Sequence, residues 1–132
     1  MQHPAYGLTR DLPGVAWEAA VDRTIAALKT EGFGVLTRID VHDVMKAKLN
    51  VDHRKYVILG ACNPQLAHRA LQGEPWIGLL LPCNVVVAEA DDGSVVSAIS
   101  PTAMFSVVNN PGVAPVAAEV EQRLLRVLDG IR

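Results

Sequence analysis

The sequence predicts an α+β fold in which helices gather on an antiparallel or mixed sheet. Three observations predict it. Apolar residues recur at helical spacing near both ends, as Trp17, Val21, Ile25 and Leu28 and again as Val116, Val120, Leu124, Val127 and Leu128. Between these lie short runs rich in Val, Ile and Leu, bounded by Gly, Pro and Asn, which read as strands. One pair of runs is joined by Asp91-Asp92-Gly93, a tight hairpin signal that sets the fold apart from a doubly wound α/β sheet.

Taken in order, Tyr6 to Arg10 reads as the first strand, and Asp11-Leu12-Pro13-Gly14 turns the chain into a helix from about Val15 to Glu31. Glu18 and Asp22 come early in that helix and Lys29 late, as the helix dipole favours, and Gly32 is its natural stop. Phe33 to Ile39 is a strand by composition. Asp40 can cap a short helix through Leu49 that buries Val41, Val44 and Met45, and Asn50 can end it. Tyr56 to Ala61 makes the next strand, closing at Cys62.

Asn63-Pro64 is a strong helix start, since Asn caps and Pro suits the first helical position. That helix should reach Leu71, with Leu66, Ala67, Ala70 and Leu71 inward. After Gly73-Glu74-Pro75 comes an apolar stretch, Ile77 to Ala90, in which Pro82 marks a break between two strand pieces because it cannot donate to a ladder. The hairpin partner is Val95 to Ile99. Ser100-Pro101 repeats the cap-then-proline device for a helix to Val108, Asn109-Asn110-Pro111-Gly112 breaks it, and the last helix runs from Val113–Pro115 to about Asp129.

Bulk properties narrow the class. A length of 132 residues suits one domain spanning the whole chain. Half of the residues are hydrophobic and 20% are charged, which excludes disorder. A formal net charge of −2 with scattered Lys and Arg removes the electrostatic drive for nucleic-acid binding. The segment Met1 to Tyr6 lacks the cationic and apolar parts of a signal peptide, and the apolar stretch is too short and too broken by Gly78, Pro82 and Asn84 to span a bilayer. The expectation is a cytoplasmic protein with no membrane partner, whose two cysteines stay reduced.

Ile77 to Leu81 and Val85 to Ala88 do not alternate with polar residues, which predicts a strand covered on both faces. Helices explain one face. A second subunit, making a homodimer, is the preferred cover for the other, ahead of further helices or a ligand cavity.

Both cysteines stand at strand ends and each is followed by Asn, so Cys62, Asn63, Cys83 and Asn84 are candidates for one shared ligand-binding corner. Cys62 precedes a helix start, where the dipole can lower a thiol pKa and make it reactive; the plainer reading is a small buried hydrophobe. Cys83 lies in the most apolar part of the chain, where burial would leave it inert. Asn63 is first of all a cap, while Asn84 must find partners if buried. His68, almost two helical turns beyond Cys62, completes the candidates. No C-x-x-C or H-x-x-x-H spacing, nucleophile elbow or phosphate-binding glycine loop occurs, so the residues name no metal and no cofactor.

The string Leu59-Gly60-Ala61-Cys62-Asn63-Pro64, then Ala67-His68-Arg69-Ala70-Leu71, then Ile77-Gly78-Leu79-Leu80-Leu81-Pro82-Cys83-Asn84-Val85-Val86-Val87, closely resembles the domain-of-unknown-function family numbered 302, small prokaryotic proteins. The resemblance extends upstream through Glu31 to Leu36 and downstream through Ser100-Pro101. It implies a curved, mostly antiparallel sheet packed by helices and is compatible with dimers; it brings no activity, substrate or catalytic residue. The expected function is a homodimeric small-ligand-binding or interaction module. The alternatives are a thiol-based redox or sulfur-handling enzyme, a soft-metal carrier using Cys62 and Cys83, or a scaffold in which the Cys-Asn corners only pack.

Overall fold

A computed structural model describes residues 2–131. Its strands are β1 (Gly7–Pro13), β2 (Gly34–Asp40), β3 (Tyr56–Cys62), β4 (Cys83–Ala90) and β5 (Gly93–Ile99). They form one sheet in the order β1-β5-β4-β3-β2 with every neighbouring pair antiparallel. The helices are α1 (Trp17–Thr30), α2 (Val41–Leu49), α3 (Pro64–Gly73), α4 (Pro101–Phe105) and α5 (Ala114–Gly130). The α+β expectation and the order of elements hold.

Alternation sorts the strand residues into two faces. Leu12, Val57, Leu59, Cys83, Val85, Val87, Val96 and Ala98 are buried on the helix side. They meet the stripes of α1 and α5, where Trp17, Val21 and Leu28 pack with Val120, Leu124 and Val127. The Trp17 indole, which needs an acceptor when buried, donates to the carbonyl oxygen of Val87 at 2.9 Å and anchors α1 to the sheet's centre.

Four elements depart from expectation. The first strand continues through Asp11-Leu12-Pro13, with Pro13 opposite Gly93. Pro is tolerated there because β1 is an edge strand, and the turn is deferred to Gly14 at φ 74°. The second departure is larger. Pro75–Leu80 is a 3₁₀ helix, so the first half of the apolar stretch is not a strand. Its lack of alternation reflects a tight turn that buries Ile77 and leaves Leu79 81% exposed. Pro82 follows a cis bond from Leu81, and β4 begins only at Cys83. Third, α2 buries none of its residues: it lies at one end of the sheet, where His42 meets the Trp17 ring edge-on at 5.2 Å. The helix α4 also ends early, at Phe105.

Beyond the helix side, the sheet's second face carries Tyr56, Ile58, Asn84, Val86 and Ser97. Gln2, Pro4 and Tyr6 border a shallow groove over part of it. The expectation that the central strands are covered on both faces is therefore met only in part. Ala88 and Val95 are buried, whereas Val86 is half-buried and Asn84 exposed.

Candidate functional site

The polypeptide leaves β3 at Cys62, turns at Asn63 and enters α3. Asn63 is 9% exposed and uses both ends of its carboxamide. Its Oδ1 accepts from the Leu66 amide at 3.3 Å, capping α3, and its Nδ2 donates to the Glu31 carbonyl oxygen at 3.3 Å. That carbonyl lies just beyond the end of α1, where the last carbonyls lack helical partners, and it also accepts from Arg123 Nη1 at 3.3 Å. One side chain thus ties β3, α1 and α3 together.

Between these elements lies a cavity of about 330 Å³. Leu66, Ala67, Ala70 and Leu71 of α3 form one wall, the inward stripe expected of that helix. Val116 and Val120 of α5 with Phe105 of α4 form the floor. Gly78 of the 3₁₀ segment and Leu81 and Pro82 just after it close the space, and Leu36 stands at the outside, 67% exposed. Cys62, Asn63 and Cys83 border the same space.

The expected corner is therefore half assembled. Cys62, Asn63 and Cys83 meet at one cavity, but Asn84 lies on the sheet's other face, opposite Gly60, and borders the groove there. His68 is exposed on α3 and does not line the cavity. Missed from the sequence were Gly78 and Leu81, and with them Leu36, Phe105, Val116 and Val120 as residues of this cavity. The first two were hidden by reading the 3₁₀ segment as a strand; a glycine inside an apolar run was the available signal.

The two thiols are free, with Cys83 buried and Cys62 partly so. Ala61 pairs with Cys83 across the ladder, so the cysteines are diagonal neighbours. Alternation aims Cys83 inward with Val85 and Cys62 outward with Gly60, and the cavity reaches both because it wraps the strand ends. Burial pushes the Cys83 thiol up to about 11, helped by any charge on Cys62. Burial also raises Cys62, against the lowering expected from its place before α3. The cap explains why: the Leu66 N–H that would favour an anion is taken by Asn63, and the sulfur borders apolar side chains instead.

At the opposite end of β3, Asp40, His42 and Asp43 bring possible ligand atoms within 4.8 Å of one another. Arg38 already grips both oxygens of Asp40, each at 3.1 Å, and the group sits at the start of α2, where the dipole opposes a cation. Among the described residues, no helix is long and apolar enough to cross a membrane.

Fold and site together define a class: an open five-stranded antiparallel sheet, helices over one face, and an apolar cavity where the central strands end. The chain belongs to the family described as domain of unknown function DUF302, whose profile matches residues 8–131. The crystal structure of an uncharacterized conserved DUF302 protein from Bacillus stearothermophilus is similar to it, with a TM-score of 0.89 and 32% sequence identity. That similarity covers 98% of this chain and 100% of the other. No curated protein matches the chain.

Proposed function

We propose that this protein is a cytoplasmic small-molecule-binding module whose site is the cavity bordered by Cys62, Asn63 and Cys83. The observation that carries this reading is a preformed space of about 330 Å³, within the size range of small-ligand pockets, where α3, α4, α5 and the 3₁₀ segment meet strands β2, β3 and β4. Its thiols are neutral at physiological pH, since burial raises both, so they line the site as soft apolar groups rather than acting as thiolate nucleophiles. Free thiols suit the reducing cytoplasm.

The proposal includes a homodimer formed through the second face of the sheet. Tyr56, Ile58, Asn84, Val86 and Ser97 present a central strip without charge, in a chain where 20% of residues are charged. With Asp11 confined to the edge strand of that face, the strip can meet its own copy without like-charge repulsion at its centre.

Thiol chemistry is the second reading, favoured by the meeting of two cysteines at one cavity. One experiment addresses the main proposal. Isotope-labelled protein is titrated separately with naphthalene, 1-naphthoate and 1-naphthylmethylammonium while amide shifts are followed by NMR. Binding by at least one, with shifts centred on Cys62, Leu66, Ala67 and Val120, is expected. No response from any of the three would end the ligand-binding reading. For thiol chemistry, a Cys62 alkylation rate that rises with an apparent pKa below that of a free cysteine would favour the second reading.

A further inference from the structure

The chemistry of the cavity wall restricts what it can hold. None of the described residues that line it is charged, and apart from the two thiols and Asn63 the lining side chains are apolar. Asn63 spends one N–H on the Glu31 carbonyl and one Oδ1 lone pair on the Leu66 amide, so this single neutral carboxamide has only one further donor and one further acceptor site. Arg123 is not among the lining residues; it donates through Nη1 to the Glu31 carbonyl and through Nη2 to Glu119 at 3.1 Å, while its buried Nε has no partner among the described residues. A buried carboxylate, phosphate or ammonium would surrender its water and find no counter-charge on the lining and only the one carboxamide in return, which is strongly unfavourable. An apolar molecule surrenders nothing of the kind and gains contact with Phe33, Phe105, Leu66 and Val120, which line the space. The sulfurs of Cys62 and Cys83 are polarizable neighbours for a flat ring.

From this we infer that the cavity takes a neutral lipophilic ligand, hydrocarbon-like over its buried part and preferably aromatic. Filled to the density of a protein interior, the roughly 330 Å³ holds about 15 non-hydrogen atoms, room for two to three fused rings. This inference rests on the cavity being a ligand site and adds the class of ligand. It also excludes classes: nucleotides, sugars, amino acids and free organic acids do not enter with their polar groups buried.

Gly78 supplies a blocking variant. It lines the cavity while itself exposed, and a Cβ built on it meets nothing within 4 Å, so Gly78→Leu adds a side chain at the cavity's mouth without striking a packed neighbour. Ala67→Leu, from the α3 wall, is a second block at a position where Leu suits a helix.

The test compares the affinities of naphthalene, 1-naphthoate and 1-naphthylmethylammonium, which share one ring system and differ in charge. Naphthalene is expected to bind at least about tenfold more tightly than either ion, given the cost of burying an unpaired charge. Gly78→Leu should weaken naphthalene by at least about tenfold while leaving the urea midpoint within error. Should that variant unfold early, Ala67→Leu with the parent's shift map decides the location. An ion that binds inside the cavity as well as naphthalene would overturn this inference and leave the ligand-site reading standing. Silence from all three compounds would remove both. Naphthalene binding that survives both blocking variants would place the ligand elsewhere and overturn the inference.

Discussion

The Asn63 side chain donates to the main-chain carbonyl of Glu31 at 3.3 Å, joining the start of α3 to the end of α1 across 32 positions of sequence. Gly32 makes this approach possible. It stands at φ 83°, and a Cβ there would come within 2.9 Å of Asn63 Nδ2. The cap of one helix and the stop of another are therefore one joint, and that joint is part of the cavity's rim.

Asn63→Ala removes a cap and a tether together. A loss of about 2 kcal/mol is expected, roughly one for the cap and one for the tether. Asn63→Ser keeps a neutral accepting oxygen for Leu66 but is too short to donate to Glu31, so it should keep the cap and lose the tether. Urea unfolding of the two variants checks the order. Equal losses for both would mean that the cap contributes nothing.

Gly60 and Pro82 predict a steric lesion. A Cβ at Gly60 would lie 2.1 Å from Thr37 Oγ1 and 2.8 Å from Pro82 Cγ. Gly60→Ala should therefore cost on the order of 3 kcal/mol, the upper end for overpacking. Thr37→Ala combined with it should recover part of the loss and leave the share owed to Pro82. A double-mutant cycle by denaturant unfolding measures the coupling, and strict additivity would refute the contact.

Cys83 predicts a pH dependence in the alkaline range. Its thiol keeps its proton in the folded state up to about 11, whereas the unfolded chain releases it near 9. Above the unfolded value the unfolded state binds fewer protons than the folded one, so stability falls as pH rises. The contribution is fully present below about pH 8.5, and on the order of 2 kcal/mol disappears by pH 11. The difference in slope between the parent and Cys83→Ala isolates it from other groups that titrate there. Identical slopes from pH 8.5 to 11 would contradict the shift. By the same reasoning, a disulfide-exchange reagent at pH 8 should react with Cys62 well before Cys83.

The uncharged central strip of the sheet's second face predicts an assembly. Sedimentation should show a dimer for the parent and a monomer for Val86→Arg, whose charge would fall in the centre of the paired faces and lack a counter-ion. Circular dichroism should show the variant folded. A parent that sediments as a monomer at micromolar concentration would exclude the dimer.

Local signals carried much of this protein. The helical stripes of α1 and α5, the Asn63-Pro64 start of α3 and the Asp91-Asp92-Gly93 hairpin all stand where periodicity and turn chemistry put them. These features depend on residues a few positions apart, so the sequence alone determined them, and it also brought Cys62, Asn63 and Cys83 forward as a group. It could not tell the 3₁₀ turn Pro75–Leu80 from a buried strand, because a short apolar run is compatible with either and only packing against α3 decides. Only the tertiary structure separated Asn84 from Cys83 by the two faces of β4, and set the thiols among Phe33, Leu66 and Phe105. Burial is a property of the assembled layers; it outweighs the local helix dipole at Cys62, and it made the cavity apolar.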